Sequence, residues 1–408
     1  MRNRQIFKKS ELGKIPVQWN IDTMENSLDS IIDYRGKTPQ KSELGIKTLS
    51  AKSVKDGYID YQSAYHISRE TYKRFMVRGI PKKGDILMTT EAPLGLVAKL
   101  DRDDVAIAQR LLTLRGKADY LDNNYLMYYL KSRIGQHQLN IRASGTTVTG
   151  IKQSEFRKVF ITLPPIEEQE SIAKILSDLD EKIEINNRLN DNLEKIANAI
   201  FKQWFVDFEF PNEDGKPYKS NGGEMVESEM GMIPKGWEVI AFSEIMKISS
   251  GKRPTKKSSD KTSEFLIPLT GASSIMGYVK EHNYNEPILV IGRVGTHGIV
   301  QRFNDKVWAS DNTLVITSQY HEFSYQMLNR IDYTALNRGS TQPLITQTDI
   351  KKQKIVIGKL NLLNEFERIV GDIFNSIYNN NKEIEQLISL RNTLLPKLMS
   401  GEIRVPFK

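Results

Sequence analysis

The chain has 408 residues, 39% hydrophobic and 26% charged, so it is long enough for two or three domains with real cores and disorder is not the expected state. Its formal net charge is +8 and its pI about 9.2, a balance that favours an anionic partner. The absence of cysteine excludes disulfides and thiolate metal sites and suits a reducing cytosol. The first residues, "MRNRQIFKKSELGKIP", have no apolar h-region, and no apolar run approaches the roughly 18 residues of a membrane span, so neither a signal peptide nor a transmembrane helix is expected.

Residues 1–163 read as a first globular unit. Short β-type runs, "DILMTT" and "KVFITL", are punctuated by the turn signals "KDGY" and "PKKGD", and "NNYLMYYLKSRIGQHQLN" predicts a helix. Pro164 and Pro165 end the last strand, and neither Gly nor Pro recurs before Pro211. The pattern over 164–209 is therefore a single long helix. Residues 210–230 are polar and rich in Gly and Pro, as in a linker. A second unit, 231–359, carries "PILVIG" and "KIVIGKL", and a second long helix fills 360–408.

The two units repeat one another. "GKIPVQW" at Gly13–Trp19 recurs as "GMIPKGW" at Gly231–Trp237, and "RGKTP" at Arg35–Pro39 as "SGKRP" at Ser250–Pro254. The stretches beginning at Asp85, Ala106 and Ala143 have counterparts beginning at Pro287, Trp308 and Asn337, in the same order. The expected fold class is α+β, with antiparallel-leaning sheets in each unit.

Both long helices carry an apolar period near 3.5. With Ile172 at position a, the first places Ile172, Leu179, Asn186, Leu193 and Ile200 on one seam, beside Ile175, Leu176, Ile183, Leu189, Ile196 and Trp204. The second places Leu363, Val370, Ile377 and Ile384 at a, and Phe366, Ile373, Asn380, Leu387 and Leu394 at d. Setting Asn186 opposite Asn380 in an antiparallel pair makes every layer an a–d pair, with a buried Asn pair fixing the register. Solvent-facing Asn residues, with each helix packed on a globular unit, are the alternative. An antiparallel pair would give the units a pseudo-two-fold relation suited to two half-sites about 34 Å apart, roughly one turn of DNA.

Catalytic signatures are missing. "DYRGKT" lacks the glycine a phosphate loop needs where Ile31 stands. "LPPI" at Leu163–Ile166 differs from the Asn/Asp-Pro-Pro-aromatic motif of amino-methyltransferases at both chemical positions. Leu163 cannot accept a hydrogen bond through its side chain, and Ile166 cannot stack on a base as an aromatic does. The histidines, His66, His137, His282, His297 and His321, have no metal-ligand spacing and are expected at the surface or in turns.

The motifs "LPPIEEQESIAKILSDLDEKIEINNRL", "AIFKQWFVDF" and "RNTLLPKLMSGEIRV", with the paired "GxIPxxW" segments, resemble the specificity subunits of Type I restriction–modification systems over essentially the whole chain. The resemblance implies two α/β target-recognition domains separated by two long helices packed as an antiparallel coiled coil. It implies no catalysis and no cofactor in this chain. It also implies double-stranded DNA as ligand and two methyltransferase subunits and motor/nuclease subunits as partners, in the cytoplasm. The second helix starts with "GKLNLLNEFE", without the Pro-Pro-x-x-Glu-Gln of the first. A coiled-coil adaptor that does not read DNA, and an enzyme with a degenerate site, are the rival readings.

Donors, acceptors and cations on the repeated loops are the candidate DNA contacts. In the first unit these are Arg35, Lys37, Thr38, Lys41, Lys52, Thr89, Thr90, Gln109, Arg110, Thr146 and Thr147. In the second they are Lys252, Arg253, Lys256, Lys257, Arg293, His297, Asp311, Asn312, Arg338, Ser340 and Thr341. Trp19 and Trp237 are expected as core anchors, and Gly36 and Gly251 as turn formers.

Overall fold

Residues 6–146, 148–295, 298–336 and 344–406 are described by the computed structural model. The chain forms two compact units. One comprises Met1–Asn186 together with Lys382–Lys408, the other Asn187–Asn381. Each unit therefore holds one globular lobe and a stretch of both long helices.

In the first lobe a four-stranded antiparallel sheet is built from β1 (Leu28–Asp33), β2 (Ile86–Thr89), β3 (Val97–Lys99) and β4 (Leu111–Gly116), in the order β1-β4-β2-β3. The apolar run of β2 is buried on both faces, the reason it reads as continuous rather than alternating. A three-stranded sheet joins Ile46–Leu49 to Tyr65–Ile67 antiparallel and to Val105–Ile107 parallel. Asn20–Thr23 pairs with Phe160–Leu163, the strand that leads into the first long helix. The predicted helix over 123–140 is two, Asn123–Lys131 and Arg133–Asn140. They break at Ser132, whose hydroxyl accepts from the Gly135 N–H and caps the second.

The second lobe repeats this plan strand for strand. Its four-stranded sheet consists of β5 (Met246–Ser250), β6 (Ile288–Gly292), β7 (Val300–Phe303) and β8 (Thr313–Ser318), in the order β5-β8-β6-β7. The three-stranded sheet (Ile275–Val279, Ile267–Thr270, Trp308–Ala309) has the same antiparallel and parallel pairs. Glu238–Ala241 pairs with Lys354–Ile357. The ladders correct two alignments: Leu111 opposes Thr89 and Thr313 opposes Gly292, so β6 is one residue out of step with the sequence match that starts at Asp85 and Pro287, and Leu112 opposes Asp33 where Leu314 opposes Ser250, so β5 is two residues out of step with the match that starts at Arg35 and Ser250.

The long helices are α1 (Ile166–Phe201) and α2 (Leu360–Met399). Numbering runs in opposite directions along the pair in each unit. In the first, Asp180 accepts from Arg391 at 2.6 Å and Asn186 donates to Glu383 at 2.8 Å. In the second, Asn190 exchanges amide hydrogen bonds with Asn380 and Asn381 at 2.8 and 2.9 Å. Asn186 and Asn380 therefore do not face each other. The register differs from the expected one by four residues, about one helical turn. The slide gives Asn186, 1% exposed, a carboxylate and gives Asp180 a guanidinium, charge-assisted bonds stronger than a neutral amide pair. On α1 the buried seam follows Ile172, Leu176, Asn186 and Ala197, while Leu189 and Ile196 are nearly half exposed.

The start of α1 is tied into the first unit by polar bonds. Glu168 is fully buried, accepts from the Trp19 indole at 3.1 Å and receives two bonds from Arg404 at 2.5 and 2.7 Å. Gln169 accepts from the Asp122 N–H and donates to the carbonyls of Tyr120 and Pro164. The Pro-Pro-x-x-Glu-Gln motif is thus a fastening that holds both ends of the chain to one lobe.

In the second unit the ladders set Leu362 in the place of Glu168 and Gly358 in that of Pro164. A Cβ on Gly358 would meet the Trp237 ring at 2.9 Å, so the indole lies against bare backbone there. Aromatic packing replaces the ion pair. Phe205 and Phe210 approach Trp237 with ring centroids at 5.7 and 5.0 Å, and Phe366 meets Phe205 edge-on at 5.0 Å. The π-helical turn Lys202–Val206 at the end of α1 buries Trp204 and Phe205 in this cluster.

Candidate nucleic-acid interface

In the first lobe the loops after β1, β2 and Val105–Ile107 and the segment around Gly150 converge through backbone bonds. The Thr90 N–H donates to the Arg110 carbonyl, the Ile151 N–H to the Thr90 carbonyl, and Glu91 forms a bridge with Gly150; all are backbone contacts. Arg35 reaches the Ile151 carbonyl with its guanidinium at 3.4 Å. The turn behind it is fixed by Arg78, which donates to the carbonyls of Asp33 and Arg35 at 3.1 and 3.2 Å. At the centre, Arg110 has φ +70° and its Nε lies 2.7 Å from Glu91 Oε1. A non-glycine residue in the left-handed region is uncommon and is held there by its surroundings.

The second lobe builds the same convergence. The Arg293 N–H donates to the Asn312 carbonyl, the Ile345 N–H to the Arg293 carbonyl, and Val294 bridges Leu344. Asn312 thus occupies the position of Arg110, Arg293 that of Thr90, and Val294 that of Glu91. The basic loop of β5 is tied in by the Lys252 N–H to the Ala309 carbonyl and by the Trp308 indole to the Lys252 carbonyl at 2.6 Å. Arg253 lies 3.4 Å from Asp311.

Exposure sorts the sequence candidates. Arg35, Lys37, Thr38, Lys41, Lys52, Arg110, Thr146, Lys252, Arg253, Lys256, Lys257 and Asn312 are exposed, and Gln109, Arg293 and Asp311 half-buried. Thr89 and Thr90 are buried: the Thr89 hydroxyl accepts from the Leu96 N–H at 2.9 Å, and Thr90 works through its backbone. Both hold the loop rather than face a ligand. Lys41 and Lys52 belong to the three-stranded layer, Lys41 with its ammonium 5.0 Å from the Tyr65 ring centre. Thr147, His297, Arg338, Ser340 and Thr341 lie outside the described residues. Sequence reasoning missed Glu91, Arg78 and Trp308, because a carboxylate, an isolated arginine and a strand tryptophan look ordinary until the loops meet. Trp19 and Trp237 are buried anchors, as expected.

His321 is half-buried and turns its ring inward. Both ring nitrogens are buried without a hydrogen-bond partner among the described residues, and burial, aided by the Arg302 charge, lowers its pKa to about 3. It is neutral across the physiological range. Beside it Arg302 makes two bonds to Glu322 at 2.6 and 2.8 Å. Glu367 of α2 accepts from the N–H groups of Glu322 and Phe323. Burial pushes Glu367 up to about 7 against those two bonds; the Glu322 charge adds to the rise and Arg302 opposes it. Among the described residues no group of three metal-binding side chains occurs, and no helix is long and apolar enough to cross a membrane.

A family model described as Type I restriction modification DNA specificity domain matches residues 20–195 and again 234–389, one match for each lobe. The chain belongs to the specificity subunits of Type I restriction–modification systems. Among curated specificity subunits, that of the MjaIX enzyme of Methanocaldococcus jannaschii is 31% identical over 98% of this chain and 96% of its own length. That of the HindI enzyme of Haemophilus influenzae is 23% identical over 79% and 87%. A crystal structure of the specificity subunit from M. genitalium superposes with a TM-score of 0.61 at 18% identity, covering 93% of this chain and 96% of that one, and supports the fold. Within the family, the duplicated loop convergence is this subunit's repeated feature, one copy in each matched domain.

Proposed function

We propose that this specificity subunit reads a bipartite, asymmetric DNA site, each lobe taking one half through its converged loops. The supporting observation is the duplicated backbone wiring, Thr90–Arg110–Ile151 in one lobe and Arg293–Asn312–Ile345 in the other. Two sites of one construction but different side chains suit two different half-sequences. The net charge of +8 and the exposed cluster of Lys252, Arg253, Lys256 and Lys257 supply phosphate contacts. The proposed target-recognition domains are residues 1–163 and 231–359; the regions 164–209 and 360–408 contain the long helices Ile166–Phe201 and Leu360–Met399, and the segment 210–230 is not all linker, since its strand Met225–Ser228 pairs with Gly231–Pro234 of the second domain. The helices set the half-site spacing and carry two modification subunits, which supply adenine methylation. Motor/nuclease subunits complete the restriction complex, and this chain contributes no catalytic group. The assembly works on DNA in the cytoplasm.

The test is duplex binding by the full-length chain across a salt series, together with selection from a randomised duplex library. The reading requires two enriched sequence blocks at fixed separation, and affinity falling steeply with salt. Inserting seven residues into both α1 and α2 should change the separation and leave the blocks themselves intact. A single enriched block, or none, would refute bipartite reading; unchanged spacing would refute the helices as its ruler.

A further inference from the structure

We infer that Arg110 and Asn312, the residues at equivalent positions of the two loop convergences, select different bases: Arg110 a guanine in one half-site, Asn312 an adenine in the other. The inference rests on the proposed DNA reading and adds which residues decide the sequence and which bases they choose.

Three observations carry it. The carbonyls of Arg110 and Asn312 accept equivalent loop N–H groups, from Thr90 and Arg293, so the two residues hold the same place in the loop wiring, although only Arg110 has a positive φ. Both residues are exposed, and no hydrogen bond joins the Arg110 Nη groups or the Asn312 amide to another described residue. Their planar donor and acceptor edges remain available. Arg110 also stands at φ +70°, where side chains other than glycine are uncommon, so the loop holds an unfavourable backbone to place this residue.

The chemistry then separates the two. A guanidinium presents paired donors, the complement of guanine O6 and N7 in the major groove. An asparagine amide presents one donor and one acceptor, the complement of adenine N7 and N6. Glu91 makes the first assignment sharper. Its carboxylate lies 2.7 Å from Nε of Arg110 and pairs with the charge, while no hydrogen bond to another described residue occupies the Nη groups. It is a positioning residue. Val294, its counterpart, has no charge and Asn312 needs none, because a neutral amide does not have to be held against water and phosphate.

The deciding experiment selects bound duplexes from a randomised library with full-length wild type, Arg110→Asn, Asn312→Arg and Glu91→Gln. Circular dichroism melting confirms that each variant is folded. Arg110→Asn should change one position of one block from G·C to A·T by about 5- to 150-fold in relative enrichment, leaving the other block untouched. Asn312→Arg should produce the converse change in the other block. Glu91→Gln should weaken discrimination at the guanine position while affinity for unrelated duplex holds or rises. If the variants lose affinity evenly over all sequences, with a salt slope smaller by about one, these residues contact phosphate and the inference is wrong. The same holds if a folded variant keeps the wild-type preferences. If wild type itself enriches no sequence, the DNA-reading proposal fails first and takes this one with it.

Discussion

The two units begin their long helices with the same backbone and opposite chemistry. In the first, Glu168 is buried beneath Trp19 and Arg404, so charge and hydrogen bonding fasten the helix. In the second, Leu362 stands in its place, the aromatic rings of Phe205, Phe208 and Phe210 pack around Trp237, and Phe366 meets Phe205 edge-on. The polar fastening recurs one turn further on, where Glu367 reaches across to the first N–H groups of the helix His321–Leu328. Duplication conserved the strand ladders and left the joints free to change, because a ladder needs only backbone whereas a joint needs complementary side chains.

The sharpest way to break this contrast is to remove one partner of the buried ion pair. Arg404→Ala strands a fully buried carboxylate and should cost about 3–5 kcal/mol, destabilising the first unit in a chemical-denaturation experiment. The double variant Glu168→Leu/Arg404→Leu should recover most of that loss. If the single substitution leaves the midpoint where it was, the fastening is not electrostatic.

The second unit should show its own signature in pH. Glu367 holds its proton more tightly in the folded chain, near pH 7, than at its ordinary value of 4.5. The folded form then binds more protons than the unfolded form between those values, and its stability declines as pH rises from about 4.5 to about 7. Glu367→Gln should flatten that slope, and its loss relative to wild type should shrink as pH rises through 7, because the amide carries no charge for burial to penalise. A slope that survives the substitution belongs to other groups.

The smallest effect concerns the helix pair. Asn186→Leu removes a buried amide whose partner, Glu383, keeps Lys182 at 3.3 Å. The expected change is a gain of about 1 kcal/mol or less, seen as a slightly higher melting temperature, with looser register. A clear loss would mean that the bond to Glu383 contributes more than the buried apolar surface replacing it.

Much of this was legible in order and period. The repeated "GxIPxxW" segments, the uninterrupted run after Pro165 and the 3.5-residue spacing fixed two lobes and two long helices, because backbone chemistry and hydrophobic period act locally. The helix register was not legible. Sliding α1 by one turn against α2 exchanges one plausible set of apolar layers for another, and only the bonds Asp180–Arg391 and Asn190–Asn380 distinguish them. The candidate site divided the same way. Arg110 and Asn312 stood out as polar residues on matched loops, whereas Glu91 acquired a role only beside Arg110.

The sequence by itself determined the duplication, the lobe–helix–lobe–helix order, the absence of a thiolate site and the basic charge, since each follows from composition or local spacing. Tertiary structure alone decided that the Pro-Pro-x-x-Glu-Gln motif binds both chain ends, that Thr89 and Thr90 turn inward, and that Arg293 rather than Gly292 takes the place of Thr90. Those facts depend on which distant groups meet, and contact between residues far apart in the chain is set by the packing of whole elements rather than by any local pattern.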